Sequence, residues 1–301
     1  MRVFVLATIC VALGAASAGA GSLSGTRLAG CPDAGDRTTK LTLLARLPQN
    51  PGLLILGSSR ARLADPAFLQ TLTGRVGFNA AVTGGTAADA WVMTRFAADR
   101  WPRTSGRRYL MFVDAGVATS GVPAPLAADP RARRYLGGEG GRPSLACRVS
   151  SRYRADGSIA HYRPKSRAER ARIVASSVAA LIAGIRAHPP QPGTVDPARF
   201  AYFERTIAFM NRHGARPVIV LNPIHPQVLA ELEKYGFPKR KEAHEYFDRL
   251  KQRLDFVVVD CEDIRVWGGS ADEFSNATHV DPVNMRRMLR YVVSHSAGAL
   301  G

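Results

Sequence analysis

Short apolar runs, each followed by a stretch with helical spacing, recur from residue 53 onward and restrict the fold more than any other feature of this chain. Leu53-Leu54-Ile55-Leu56, Val218-Ile219-Val220-Leu221 and Phe256-Val257-Val258-Val259 contain no polar residue, and Tyr109 to Val113 is of the same kind. Runs this short, apolar at every position, suit strands covered on both faces, as in parallel sheets. Arg75 to Ala81 is a fifth, weaker strand candidate. Helical patterns lie between and after the runs. Ala87 to Trp101 forms one, and Val174, Val178, Leu181, Ile182 and Ile185 share one face of another. Phe200, Phe203, Ile207 and Met210 mark a third, opened by Asp196-Pro197 and closed by Gly214, while Met285, Met288, Leu289, Val292 and Val293 mark the last. This alternation predicts a three-layer α/β/α fold around a central, mostly parallel five-stranded sheet.

The chain ends of that domain read differently. Arg2 precedes an apolar run from Val3 to Leu13, followed by Gly14-Ala15-Ala16-Ser17-Ala18-Gly19-Ala20. A short apolar core with small residues behind it is the pattern of a secretory signal, so residues 1–20 are expected to be a signal peptide. An uncleaved anchor from Val3 to Leu23 is the alternative, and the only expected contact with a membrane. Either way the expected location is secreted or extracytoplasmic. Residues 21–50 read as a connector with a short helix at Leu41 to Leu47, and residues 51–301 as the α/β domain. An irregular insertion at about 116–166 holds Pro123, Pro125, Pro130, the Gly137–Gly141 run and Asp156-Gly157. It is either a cover over the site or a surface excursion.

Export governs how the cysteines read. With Cys10 removed, Cys31, Cys147 and Cys261 remain, either as one disulfide plus a free thiol or as three small buried residues. No Cys-x-x-Cys or His-x-x-x-His spacing occurs, so no metal and no cofactor are expected. Forty-one Lys and Arg against 24 Asp and Glu leave a net charge of +17. Such a field attracts polyanions, and an acidic cell-surface polymer is one expected partner. The basic residues are scattered and not interleaved with aromatics, so nucleic acid is not expected.

In open parallel sheets ligands gather beyond the carboxyl ends of the strands, which directs attention to the loops there. Gly57-Ser58-Ser59-Arg60 follows the first strand, and Asn79-Ala80-Ala81-Val82-Thr83-Gly84-Gly85 the second. Asn222-Pro223-Ile224-His225 follows the fourth, and Asn276-Ala277-Thr278-His279 precedes the last helix. Each has a plainer reading: serine caps helices, Gly84-Gly85 makes a turn before a helix, Asn222 is a loop terminator, His279 is a surface histidine and His225 is loop structure. Arg60 either receives an anionic substrate group or is a solvated helix residue.

Taken together in this order, the blocks resemble the SGNH (GDSL-type) hydrolase superfamily. The look is closest to extracytoplasmic bacterial members that acetylate or deacetylate surface polysaccharides. The resemblance spans about Leu53 to Met288. It implies Ser59 as nucleophile and His279 as base, with the Ser59 and Gly84 backbone N–H groups and the Asn222 amide stabilising the oxyanion. Ser58 stands where the family has aspartate, Ala81 replaces a glycine, and Asn222 lacks its usual Gly-x-Asn setting. Asn276 replaces the aspartate that would orient the histidine, leaving Asn276 itself, Asp272 or Asp281 for that task. The expectation is an esterase or O-acyltransferase acting on acylated carbohydrate or a small ester. The alternative is a catalytically inactive surface protein binding acidic wall polymer.

Overall fold

The computed structural model describes residues 35–102, 106–114, 122–138, 149–162, 165–192 and 197–301. Residues 1–20, expected to be a signal peptide, lie outside them, as do Cys10, Cys31, Cys147, Asp196 and residues 21–34 of the connector. So do parts of the insertion, including the end of its glycine run.

The chain begins with α1 (Asp36–Arg46), β1 (Leu53–Leu56), α2 (Pro66–Thr73), β2 (Gly77–Asn79), α3 (Ala87–Arg100) and β3 (Arg108–Val113). After α4 (Ala124–Ala128) and α5 (Pro130–Arg133) come α6 (Arg167–Ala187), α7 (Pro197–Arg212) and β4 (Val218–Leu221). Then follow α8 (Pro226–Glu233), α9 (Pro238–Lys251), β5 (Val257–Asp260), a ribbon of β6 (Phe274–Asn276) and β7 (His279–Val280), and α10 (Pro282–Ser294). The central sheet has five strands in the order β2-β1-β3-β4-β5, all parallel.

The pleat sorts the core into two layers. Leu54, Leu56, Phe78, Tyr109, Met111, Ile219 and Leu221 face one side, packed with side chains of α1, α3, α7 and α9. Leu53, Ile55, Leu110, Phe112, Val218 and Val220 face the other, with α2, α6, α8 and α10. Alternate residues of a strand point to opposite faces, so a run covered on both sides must be apolar at every position.

Helix ends carry the signals that position the loops. Thr86 and Asp89 form a capping box at the start of α3, and Arg37 donates to Asp89 Oδ1 at 2.7 Å and Oδ2 at 3.0 Å. Asp65 caps α2 through Ala67 N–H at 2.9 Å, with Pro66 in the first turn. Asp281 does the same for α10, accepting from Val283 and Asn284 N–H.

Three features differ from expectation. The segment read as a connector contains α1, which is core: Lys40, Leu41 and Leu44 are fully buried. Its short helix begins at Asp36, five residues before Leu41, because Thr38 and Thr42 are also buried and hydrogen-bonded. In α6 only Val174 and Val178 are buried, and Leu181 is exposed. The α8–α9 pair between β4 and β5 has no counterpart in the sequence reading. Cys261 is a buried free thiol whose ionisation burial disfavours.

Lys40 ties the insertion to the sheet. Its ammonium donates to Asn79 O at 2.6 Å and to Gly157 O, and lies 4.5 Å from the centre of the Tyr153 ring. Burial brings its pKa down to about 7. Asn79 N–H donates to Asp156 O at 2.9 Å, so the hairpin joining Tyr153 to Ile159 stands against the carboxyl end of β2.

Candidate active site

The turn after β1 is forced by its glycine. Gly57 has φ of +142°, and a Cβ there would lie 2.9 Å from Phe112 O. The chain then closes a single 3-10 turn at Ser59–Ala61, capped by Ser58, whose hydroxyl accepts from Arg60 N–H at 3.5 Å. Asn79, fully buried at the end of β2, holds that turn. Its amide donates to Ala61 O at 2.9 Å and Ala64 O at 2.7 Å, and its Oδ1 accepts from Ala81 N–H at 3.0 Å.

At the other end of the chain, Asn276 folds the β6–β7 connection around its own side chain. Its Oδ1 accepts from Thr278 N–H at 2.9 Å, His279 N–H at 3.0 Å and Thr278 Oγ1 at 3.1 Å. The same oxygen lies 3.0 Å from His279 Nδ1. An amide oxygen only accepts, so this contact assigns the ring proton to Nδ1 and leaves Nε2 as an acceptor. Ser59 Oγ is 2.9 Å from Nε2 and donates to it. A hydroxyl, an imidazole and an orienting group from positions 59, 279 and 276 thus form one chain of hydrogen bonds.

The other candidate residues are placed less directly. Asp272 is on the surface, 3.7 Å from Arg167, and Asp281 is buried at the α10 cap, 3.0 Å from Arg170. Neither carboxylate stands behind the imidazole, because each is engaged elsewhere; Asn276 occupies that place. Gly84 and Gly85, read together as a turn, differ in what their places require. Gly84 has φ of +59° with open space where a Cβ would be. Gly85 makes the close approach: a Cβ there would lie 2.4 Å from Gly57 O. Asn222 is buried and donates from its amide to Asp114 Oδ1 at 3.0 Å. One of its two amide hydrogens is therefore committed. Arg60, expected either to receive substrate or to be solvated, is paired with Asp114 at 2.6 Å. His225 is buried against Phe274, its ring centre 5.1 Å away, and is a packing residue of the β6 ribbon.

Asp114 is the residue that sequence reasoning missed. It directly follows β3, at the sheet edge where ligands gather, and its position after the Tyr109–Val113 run was a usable signal. Thr278, 3.0 Å from His279 Nδ1, is a second. Burial, helped by the positive charges of Arg60 and Arg62, holds the His279 imidazole down at about 4.

Among the described residues one group has ligand atoms near enough for a metal: His244, Asp260 and Glu262. Arg240 already lies 2.8 Å from both carboxylates, so a guanidinium takes the position of a cation. No protein-family model matches this chain, and no curated protein matches it.

Proposed function

We propose that this chain is a serine esterase or O-acyltransferase of SGNH-like build, acting outside the cytoplasm on acylated carbohydrate or a small ester. The observation that carries the reading is the 2.9 Å contact of Ser59 Oγ with His279 Nε2, on a ring whose other nitrogen is held by Asn276. A serine hydroxyl becomes a useful nucleophile when a base within hydrogen-bond reach takes its proton. Ser59 Oγ attacks the acyl carbonyl while its proton passes to Nε2, and the carbonyl electrons move onto oxygen. Collapse of that tetrahedral adduct expels the alcohol, which takes the proton from Nε2 and leaves an acyl-Ser59 ester. Water then completes a hydrolysis, or a second alcohol completes a transfer, with Nε2 again accepting and returning the proton.

The oxyanion needs preorganised donors. The Ser59 N–H at the opening of its turn, the Gly84 N–H and the remaining Asn222 amide hydrogen are assigned to it. A cavity of about 70 Å³, lined by Gly57, Ser58, Gly85, Ala90, Phe112 and Asp114 among others, adjoins the turn. Its size and largely apolar wall favour a short acyl group.

One observation favours a second reading, that of an inactive binding protein. The imidazole lacks a carboxylate behind it and is held at about 4, which makes it a weak base at neutral pH. A fluorophosphonate, which reacts with activated serines, separates the two. The proposal expects an adduct on the peptide containing Ser59, absent in Ser59→Ala. A folded wild-type protein that takes up no phosphonate overturns it.

A further inference from the structure

A cleft of about 560 Å³ lies between the Tyr153–Ile159 hairpin and the first turns of α10. Arg62, Arg154, His161, Tyr162 and Arg286 line it, with Asp65 as its acidic member. Chain connectivity joins the cleft to the reacting groups: Arg62 comes three residues after Ser59, and Pro282, in the same wall, three after His279.

The charges in this cleft are poorly compensated. Asp65 Oδ1 is occupied by the α2 cap. Arg62 donates to Thr83 Oγ1 at 2.6 Å and lies 3.7 Å from Asp36, while its buried Nε has no acceptor among the described residues. Arg154 and Arg286 are exposed and form no ion pair among the described residues; Arg154 makes only a long bond to Ala160 O, 3.4 Å. Arg290, one turn beyond Arg286 on α10, extends the charge, and both guanidiniums lie over Phe68, at 5.2 Å and 5.7 Å from its ring centre. Like charges four residues apart on a helix repel weakly, and an anion in the cleft relieves that repulsion. Guanidinium forks match carboxylates two oxygens at a time, and the Tyr162 and His161 rings offer flat faces and hydrogen-bonding edges.

We propose that this cleft seats a carboxylate-bearing polysaccharide chain, laid across Arg62, Arg154 and Arg286 so that an acyl group on it reaches Ser59. The placing of the acyl group rests on the esterase reading above; the recognition of the anionic chain does not. Three arginines from separate segments around one cleft fit a polymer that carries repeated charges better than a single small anion.

Calorimetric titration of the wild-type protein with a short oligogalacturonate, without any turnover, tests the site. The proposal expects saturable binding that weakens as salt rises, and no binding of a neutral cello-oligosaccharide of equal length. Arg154→Ala/Arg286→Ala should weaken binding about tenfold, the sum of two partly exposed charge-assisted contacts. Arg286→Glu/Arg290→Glu, which leaves the hairpin intact, should do so at least as strongly, with melting temperatures checking that each variant folds. Equal affinity for the neutral chain, or unchanged affinity in folded variants of both kinds, overturns the proposal. So does tighter binding of polyphosphate or of a single-stranded oligonucleotide with the same loss in the variants, since the site would then read phosphate. Oligogalacturonate binding lost in the variants, from a protein that takes up no fluorophosphonate, would retain this site and reject the esterase chemistry alone.

Discussion

Replacing Gly85 with alanine presses directly on the geometry that the proposed chemistry requires. The added Cβ would lie 2.4 Å from Gly57 O, 3.0 Å from Gly57 C and 3.1 Å from Ser58 Cα, all of them backbone atoms with no rotamer to escape into. Ordinary van der Waals contact begins near 3.4 Å, so the two loops must separate by about 1 Å. Ser59 follows Ser58 directly, and its contact with His279 Nε2 is 2.9 Å. A displacement of that size takes the hydroxyl out of hydrogen-bond reach and is worth about 100-fold in rate. Overpacking of this kind also costs about 1–3 kcal/mol of stability, or several degrees in Tm for a domain of this length. Gly84→Ala is the comparison. Nothing lies within 4 Å of its Cβ position, so its penalty is the left-handed φ of +59° alone, about 1 kcal/mol. The assay is the second-order rate of fluorophosphonate labelling, with thermal melts alongside. Labelling of Gly85→Ala within twofold of wild type, at an unchanged Tm, would refute the close approach and the catalytic geometry built on it.

Other perturbations have signs that follow from the site. Because the His279 ring must be neutral to accept a proton, labelling of the wild type should fall as pH drops through about 4. Asn276→Asp puts a carboxylate 3.0 Å from Nδ1, which favours the imidazolium. The acid limb should move up by about one pH unit or more, with labelling at pH 7 raised about tenfold; a profile superimposable on wild type would reject this orientation of the ring. Burial and the neighbouring Asp260 push Glu262 up to about 8, so the folded chain keeps a proton that the unfolded chain releases near 4.5. Folded stability from this group is therefore present below about 4.5 and lost as pH rises through about 8. Glu262→Gln removes that loss while Arg240 keeps Asp260, so denaturant melts should show the variant gaining about 1 kcal/mol or more on wild type between pH 5 and pH 8. A difference that is flat with pH would show Glu262 to be ionised throughout.

Much of the fold was legible because burial on two faces writes itself into composition. Leu53–Leu56 and Val218–Leu221 are apolar at every position since helices cover both sides of the sheet. The loops after β1 and before α10 stood out for the same reason: serine, glycine, asparagine and histidine interrupt strong periodic segments. What escaped was coupling between loops. Asp114 is one aspartate after a strand until β3 and β4 pair in register, Val113 with Leu221, and bring the next residues, Asp114 and Asn222, side by side. Gly84 and Gly85 are indistinguishable as letters; one needs a left-handed φ and the other needs the absence of a Cβ. The α1 helix looked like a connector because its buried face carries Thr38, Thr39, Lys40 and Thr42, polar residues whose partners come from elsewhere in the chain.

By itself the sequence determined the alternation of strand and helix, the parallel sheet that alternation demands, and which turns carry chemistry-bearing side chains. These are local properties, set by periodicity and by the backbone freedom of a few residues. Only the tertiary structure decided that Ser59 meets His279 across 220 positions, that Asn276 and not Asp272 or Asp281 stands behind the ring, and that Arg60 is claimed by Asp114. Hydrogen bonds and charges act over a few ångströms, and the distances that select among equally suitable donors and acceptors exist only once the sheet has brought its loops to one edge.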